Sequence, residues 1–193
     1  MTSRPRVPED WERDLRAAKP AEESFGAELA TDPRLAGLET HTEAFDKLDF
    51  SFEYGGRRIW VDLKEKRQAY SAGVQALWEE VPGSFLFILD ETVYRRIIWQ
   101  GGGGYLVVHD HPGRRWAIFG PWELTLGPRR RYEREERRKT SFLKGKILLD
   151  LRAAATLRSY FSIDELLHVI NKSVAERDAV EAVATNTLDL PQV

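Results

Sequence analysis

The chain contains no cysteine and a single methionine among its 193 residues. The first absence excludes disulfide frameworks, Cys-ligated zinc and thiol catalysis together, and it fits a reducing compartment. Long apolar runs are missing as well. No stretch approaches the ~20 consecutive apolar residues that a membrane helix needs, and the N-terminus, MTSRPRVPEDWERDLRAAKP, lacks the apolar core of a signal peptide. The expectation is a cytoplasmic protein with no membrane partner. A third thing lacking is an excess of charge of one sign: 29 Lys and Arg stand against 31 Asp and Glu, so a polyanion would have to be met by a local patch. What is present is the composition of a folded domain, 42% hydrophobic and 31% charged, in a chain long enough to bury roughly 70% of the surface that its unfolded form exposes.

Residues 1–20 are polar and carry Pro5, Pro8 and Pro20, which reads as an N-terminal arm with one short helix around 11–18. EESFGAELA (22–30) reads as a helix closed before Pro33, with Phe25 and Leu29 on its buried face. A loop over 31–42 follows. Then Leu48, Phe50, Phe52 and Tyr54 alternate with Asp49, Ser51 and Glu53, and RRIWVDLK alternates again after Gly55-Gly56, which predicts a hairpin with a two-residue turn. If Tyr54 faces Arg57, Phe52 opposes Ile59, Phe50 opposes Val61 and Leu48 opposes Leu63 on one apolar face. The other face carries Glu53 against Arg58, Ser51 against Trp60 and Asp49 against Asp62, with Lys64 beside them.

Residues 65–81 have helical composition, with Ala69, Val74, Leu77 and Trp78 for an inner face. SFLFILD (84–90) and YLVVHD (105–110) read as buried strands joined through a helix over 91–99, hence as a parallel pair, and 115–120 adds an edge strand. Segment 127–146 holds nine Lys and Arg against three Glu. It is compatible with contacts to a nucleic-acid backbone and equally with a solvated helix carrying Glu–Arg pairs. Ser162 and Glu165 form a capping box for a helix over 163–182, with Leu166, Leu167, Ile170 and Val174 suited to docking on the core, and 185–193 reads as a loose tail. The division is one domain: an arm (1–20), a core (21–120), and a basic segment with a C-terminal helix (121–193).

Directly opposed aspartates destabilise a sheet, so Asp49 and Asp62 call for compensation. They are either solvated and neutralised by Arg58 and Lys64, or they hold a divalent cation. Mg²⁺ takes oxygen ligands and is commonly bound by one or two carboxylates plus phosphate oxygens of a substrate, and Lys64 adds a charge that orients water or stabilises a phosphorane. Leu48-Asp49 and Asp62-Leu63-Lys64 resemble the motif of the PD-(D/E)XK nuclease superfamily, with Leu48 where that family carries proline. The resemblance implies an α/β protein of restriction-endonuclease-like fold: an αβββαβ core over about 22–110 whose mixed central sheet is flanked by helices, plus a C-terminal helical extension. It implies Asp49 and Asp62 as metal ligands, Glu28 as a third ligand directly or through water, the Leu63 carbonyl as an extra one, and Lys64 as the residue that positions or activates the attacking water. Gln68, placed at the start of the next helix, would touch water or phosphate, or is an ordinary exposed glutamine. Asp46 is a lower-ranked alternative to Asp49.

The activity so implied is Mg²⁺- or Mn²⁺-dependent hydrolysis of phosphodiester bonds, foremost in DNA, as in restriction, defence, transposition or repair. The alternative is a nuclease-fold DNA-binding or assembly subunit with little or no cleavage. Arg57 and Arg58 at the hairpin tip and Arg129, Arg130, Arg131, Lys144 and Lys146 in the basic segment are candidate nucleic-acid contacts. A homodimer or a protein partner would supply a second site or specificity. Trp60 belongs under the bases or in the core. His109 and His111 point the same way on a strand and would hold Zn²⁺ only with a third ligand, which is not obvious from the sequence, so they read as a polar strand end entering the Pro112-Gly113 turn. Gly101 to Gly104 lacks the Lys and Ser/Thr of a phosphate-binding loop and reads as a connector.

Overall fold

The alternating segment folds as the hairpin that its pattern predicts. In the computed structural model, which describes residues 8–42, 44, 46–137 and 141–188, the elements in chain order are α1 (Pro8–Ala30), β1 (Ala36–Thr40), β2 (Phe50–Tyr54), β3 (Arg57–Lys66), α2 (Ala72–Gln75), β4 (Leu86–Asp90), α3 (Glu91–Ile98), β5 (Gly104–Asp110), β6 (Arg115–Phe119), α4 (Pro121–Leu126), β7 (Arg129–Arg137), β8 (Ser141–Asp150), β9 (Thr156–Arg158) and α5 (Ile163–Leu188). β2 and β3 are antiparallel, with Tyr54 on Arg57, Phe52 on Ile59 and Phe50 on Val61. Gly55 and Gly56 take φ of 57° and 73°, the left-handed pair of a turn whose twist matches the strands. The ladder ends at Phe50. Leu48 leaves it and packs with Phe87, Leu106 and Phe119 instead of facing Leu63, which corrects that part of the expected register.

The central sheet runs β1-β2-β3-β5-β6-β9, mixed because β3 and β5 are parallel and the other neighbours antiparallel. One face is apolar through Phe50, Phe52, Val61, Leu63 and Val107, and is covered by Phe25 and Leu29 of α1 and by Leu166 and Ile170 of α5. Each such side chain, fully buried, contributes roughly 1.5–3 kcal/mol. The opposite face, built from Leu106, Val108, Ala117 and Phe119, meets a second sheet of order β4-β8-β7 together with α3 and α4, through Phe87, Leu89, Ile97, Leu124, Ile147 and Leu149. Among the described residues no helix is long and apolar enough to cross a membrane.

Several expectations are corrected. Residues 8–30 form one helix that continues through Pro20, which forfeits a backbone hydrogen bond there; residues 1–7 of the expected arm lie outside the described residues. The loop expected over 31–42 contains β1. The helix expected over 65–81 shrinks to Ala72–Gln75, because β3 runs on to Lys66. Lys66 is 2% exposed; its ammonium lies 3.7 Å from Asp110 and donates to the carbonyls of Gly83 and Ser84 at 3.2 and 2.8 Å. These partners satisfy a charge that would otherwise be prohibitive inside a sheet. β4 does not join the central sheet: it pairs antiparallel with β8, and the parallel partner of β5 is β3. The basic segment is strand, not helix, with β7 hydrogen-bonded to β8 from Arg129 opposite Leu149 to Arg137 opposite Ser141. Its charges suit an edge strand, where they oppose further pairing. α5 begins at Ile163 as expected and extends to Leu188, so 185–188 of the expected tail is helical, and 189–193 lies outside the described residues.

Candidate active site

β3 outruns its neighbour at the end of the hairpin, and the site forms in that fork. Beyond Val61 the strand has no β2 residue opposite it, and the backbone N–H of Leu63 donates to Asp49 Oδ2 at 2.9 Å. The aspartate stands in for the missing ladder carbonyl. Its own carbonyl accepts from the His41 N–H at 2.7 Å, which fixes the bend. Lys64 then reaches back, its Nζ 3.1 Å from Asp49 Oδ2, 2.9 Å from the Leu63 carbonyl and 2.7 Å from Asp62 Oδ2. Three oxygens from three residues therefore converge on one cationic point. Asp62 is 2% exposed, which removes the reading of two solvated aspartates on an open face.

Two carboxylates share this single ammonium, and the titration behaviour follows. Burial pushes the Asp62 carboxyl up, to about 7; Lys64 opposes the rise and the charge of Asp49 adds to it. Burial alone would lower the Lys64 pKa, but Asp62 and then Asp49 outweigh it and hold the ammonium charged above its usual range. Below about pH 7 a proton on Asp62 therefore relieves the crowding of two carboxylates on one ammonium, and above it the full repulsion is present. Asp62 Oδ2 is buried without an aligned hydrogen bond despite its closeness to Lys64. A buried carboxylate oxygen paired with an ammonium, beside a second carboxylate and a backbone carbonyl, belongs to an all-oxygen donor set suited to a hard divalent cation.

Of the α1 carboxylates, Glu22 and not the expected Glu28 is electrostatically coupled to Asp49 and Lys64. Glu28 is exposed, and its only shift, upward, comes from partial burial. Glu22 lies three residues before the buried Phe25, on the sheet-facing side, and its pKa is raised by burial and then by Asp49, with Lys64 acting against both. The phase of Glu22 relative to Phe25 and Leu29 was the available signal; the spacing upstream of Asp49 pointed to the wrong turn of the helix. Gly26 sets how closely α1 approaches, because a Cβ there would sit 3.0 Å from Cε1 of Phe50. A cleft of about 330 Å³ opens alongside, lined by Lys19, Glu22, Gly26, Thr40 and Thr42 among others. Gly26→Val should force α1 off β2 and destabilise the fold by about 1–3 kcal/mol in urea unfolding. An unchanged midpoint would mean that the helix is not seated there.

Other predicted residues are placed less productively. Gln68 is exposed on a bend after β3, with no helix to present it, and Asp46 is exposed in a turn. Trp60 packs against the second apolar cluster and stacks with His41 at 5.6 Å, a core role. Arg57 bonds Asp178 of α5 at 3.1 Å, and Arg58 pairs with Glu39 at 2.9 Å and donates to Ser51 at 2.6 Å, so both hairpin-tip arginines have partners within the chain. Lys146 is 8% exposed and paired with Asp90, which removes it from any docking surface. Arg129, Arg130 and Arg131 are exposed and bond the Thr125 carbonyl, the Leu77 carbonyl and Glu91 at 2.5, 2.7 and 2.9 Å. The side chain of Lys144 lies outside the described residues. His109 and His111 do gain a third partner, Glu65, which the expected strand order did not bring to them. Gly101 to Gly104 forms the turn into β5, a connector as expected.

Compared with family models, curated proteins and solved structures, the chain matches none.

Proposed function

We propose that the chain is a metal-dependent nuclease of the restriction-endonuclease-like class that hydrolyses phosphodiester bonds in DNA with Mg²⁺ or Mn²⁺. The observation that carries this reading is the convergence of Asp49 Oδ2, Asp62 Oδ2 and the Leu63 carbonyl on one buried point occupied by the Lys64 ammonium. The succession α1, β1, β2, β3, α3, β5, interrupted before α3 by α2 and by β4 of the second sheet and with β3 and β5 parallel, supports the αβββαβ resemblance, with β1 as the strand expected in β4.

Asp49, Asp62 and the Leu63 carbonyl would hold the cation, with Glu22 of α1 electrostatically coupled to Asp49 and Lys64. Bound Mg²⁺ supplies Lewis-acid polarisation of the scissile phosphate and a lowered pKa for water at the site. Asp49 is kept in position by the Leu63 N–H. Asp62 is shielded from solvent by the core around it, which strengthens every charge interaction it makes. Lys64 sits on a flexible stem with 30% of its side chain exposed, so its ammonium can turn from the three oxygens toward the phosphate and donate to the charge that builds there. The exposed arginines at the start of β7 would have to exchange their bonds to the Thr125 and Leu77 carbonyls and to Glu91 for backbone phosphates.

The test is incubation with supercoiled, linear, single-stranded and branched DNA in Mg²⁺, Mn²⁺ or EDTA. Metal-dependent cutting is expected. Binding without cutting under any metal would overturn this reading in favour of a DNA-binding or assembly subunit. Glu22→Gln is expected to lower the cleavage rate about tenfold, at the low end of what a supporting group near a metal contributes, while Glu28→Gln leaves it unchanged. The reverse result would return the helix carboxylate to Glu28.

A further inference from the structure

We propose that Glu65, His109 and His111 form a second metal site, selective for a borderline transition cation such as Zn²⁺. It lies on the face of β3 opposite to Asp62 and Lys64. Alternation sends residue 65 to the α1 side of the sheet, and the parallel register sets it directly against His109 of β5. His111 follows the strand end, where its backbone N–H donates to the Lys66 carbonyl at 3.0 Å and holds the turn against β3. One ligand atom from each of the three residues lies within 4.8 Å of the others. Ligands about 2.0–2.2 Å from a zinc ion stand closer together than this, so the three side chains would close on the ion as it binds.

The surroundings orient the donors. The His109 ring is stacked on Trp116 with centroids 3.9 Å apart and planes 8° from parallel, and the His111 ring lies 3.9 Å from it. Glu65 Oε2 is taken by Arg67 at 2.5 Å, which leaves Oε1 turned to His111 Nε2 at 2.6 Å. A carboxylate fixed through its second oxygen is the outer support that metal sites characteristically carry. His111 is 42% exposed in its side chain, giving an ion an entry and leaving room for water in the remaining coordination position. Two imidazoles and one carboxylate favour Zn²⁺ over Mg²⁺, whereas the all-oxygen set around Asp62 favours the reverse. The Glu65–His111 pair is then the metal-free arrangement of a site whose third ligand is already in place. The inference stands whether or not the chain cuts DNA.

Equilibrium dialysis of the full chain against Zn²⁺, with millimolar Mg²⁺ present, tests it in wild type, His109→Ala, His111→Ala and Asp62→Asn. One Zn²⁺ per chain is expected in wild type and in Asp62→Asn, with affinity falling by more than about tenfold in each histidine variant. Co²⁺ in place of Zn²⁺ should give visible bands in wild type that vanish in His111→Ala, a variant at an exposed position that leaves the core intact. Absence of stoichiometric binding, binding indifferent to both histidines, or binding lost in Asp62→Asn would each overturn the assignment, the last by moving the ion to the aspartates.

Discussion

Asp62→Asn is expected to abolish metal-dependent cleavage, by about 10³ or more in rate, while leaving the metal-free protein folded and at least as stable as wild type at pH 8. The loss corresponds to the several kcal/mol of transition-state stabilisation that a bound cation provides and that the amide cannot anchor. The stability half follows from burial. The Asp62 carboxyl is raised from 3.8 to about 7, so between about pH 4 and about pH 7 the folded state holds a proton that the unfolded state has released. This group's contribution therefore declines as pH rises through that window, and the full penalty is present above it. Asn carries no such penalty, so its stability should be flatter over the same range and higher at pH 8 by up to roughly 4 kcal/mol, at about 1.4 kcal/mol per pH unit. Urea unfolding in EDTA at pH 5 and pH 8 measures both. A large destabilisation at pH 8 would show that Asp62 is a structural partner of Lys64 and would remove the main support for a metal site.

Lys64→Met is expected to do the opposite in the absence of metal. With the ammonium gone, Asp49 and Asp62 are left together with no cation, and removing one partner from a buried charge cluster costs about 3–5 kcal/mol. Millimolar Mg²⁺ should restore much of that stability by mass action, since it binds the folded chain at the oxygens that Lys64 vacates. Turnover should nevertheless fall by about 10²–10³, the scale of losing one group that stabilises transition-state charge. Thermal melts across a Mg²⁺ titration give the first quantity and cleavage rates the second. Melting that ignores Mg²⁺ would show that the three oxygens do not take a cation, and undiminished turnover would remove Lys64 from the mechanism.

The hairpin and its acids were legible because alternation and a two-glycine turn are local signals, and together they set the pairing of Phe50 with Val61 and hence the placement of Asp62 and Lys64. The second sheet was not legible. LFILD is apolar on both faces and names no partner, and RRRYEREER satisfies helical Glu–Arg spacing as well as the ladder with β8 that it adopts. β3 runs two residues past the expected end at Lys64, since Glu65 and Lys66 look helical only until His109 and Asp110 are seen opposite them. The same contact explains why Glu65 was missed beside the histidines: with β4 taken as the neighbour of β5, nothing brought residue 65 to residue 109.

β3 serves both sides of the sheet from consecutive positions, Lys64 to one and Glu65 to the other, and only the parity of the strand separates them. That parity is set at the far end of the hairpin by Gly55 and Gly56. A one-residue slip of β3 against β2 would deliver Asp62 and Lys64 into the apolar layer beneath α1 and α5 and bring Leu63 and Glu65 to the fork. The pairing of Phe50 with Val61, which touches neither Asp62 nor Lys64, thus decides which chemistry appears on which surface.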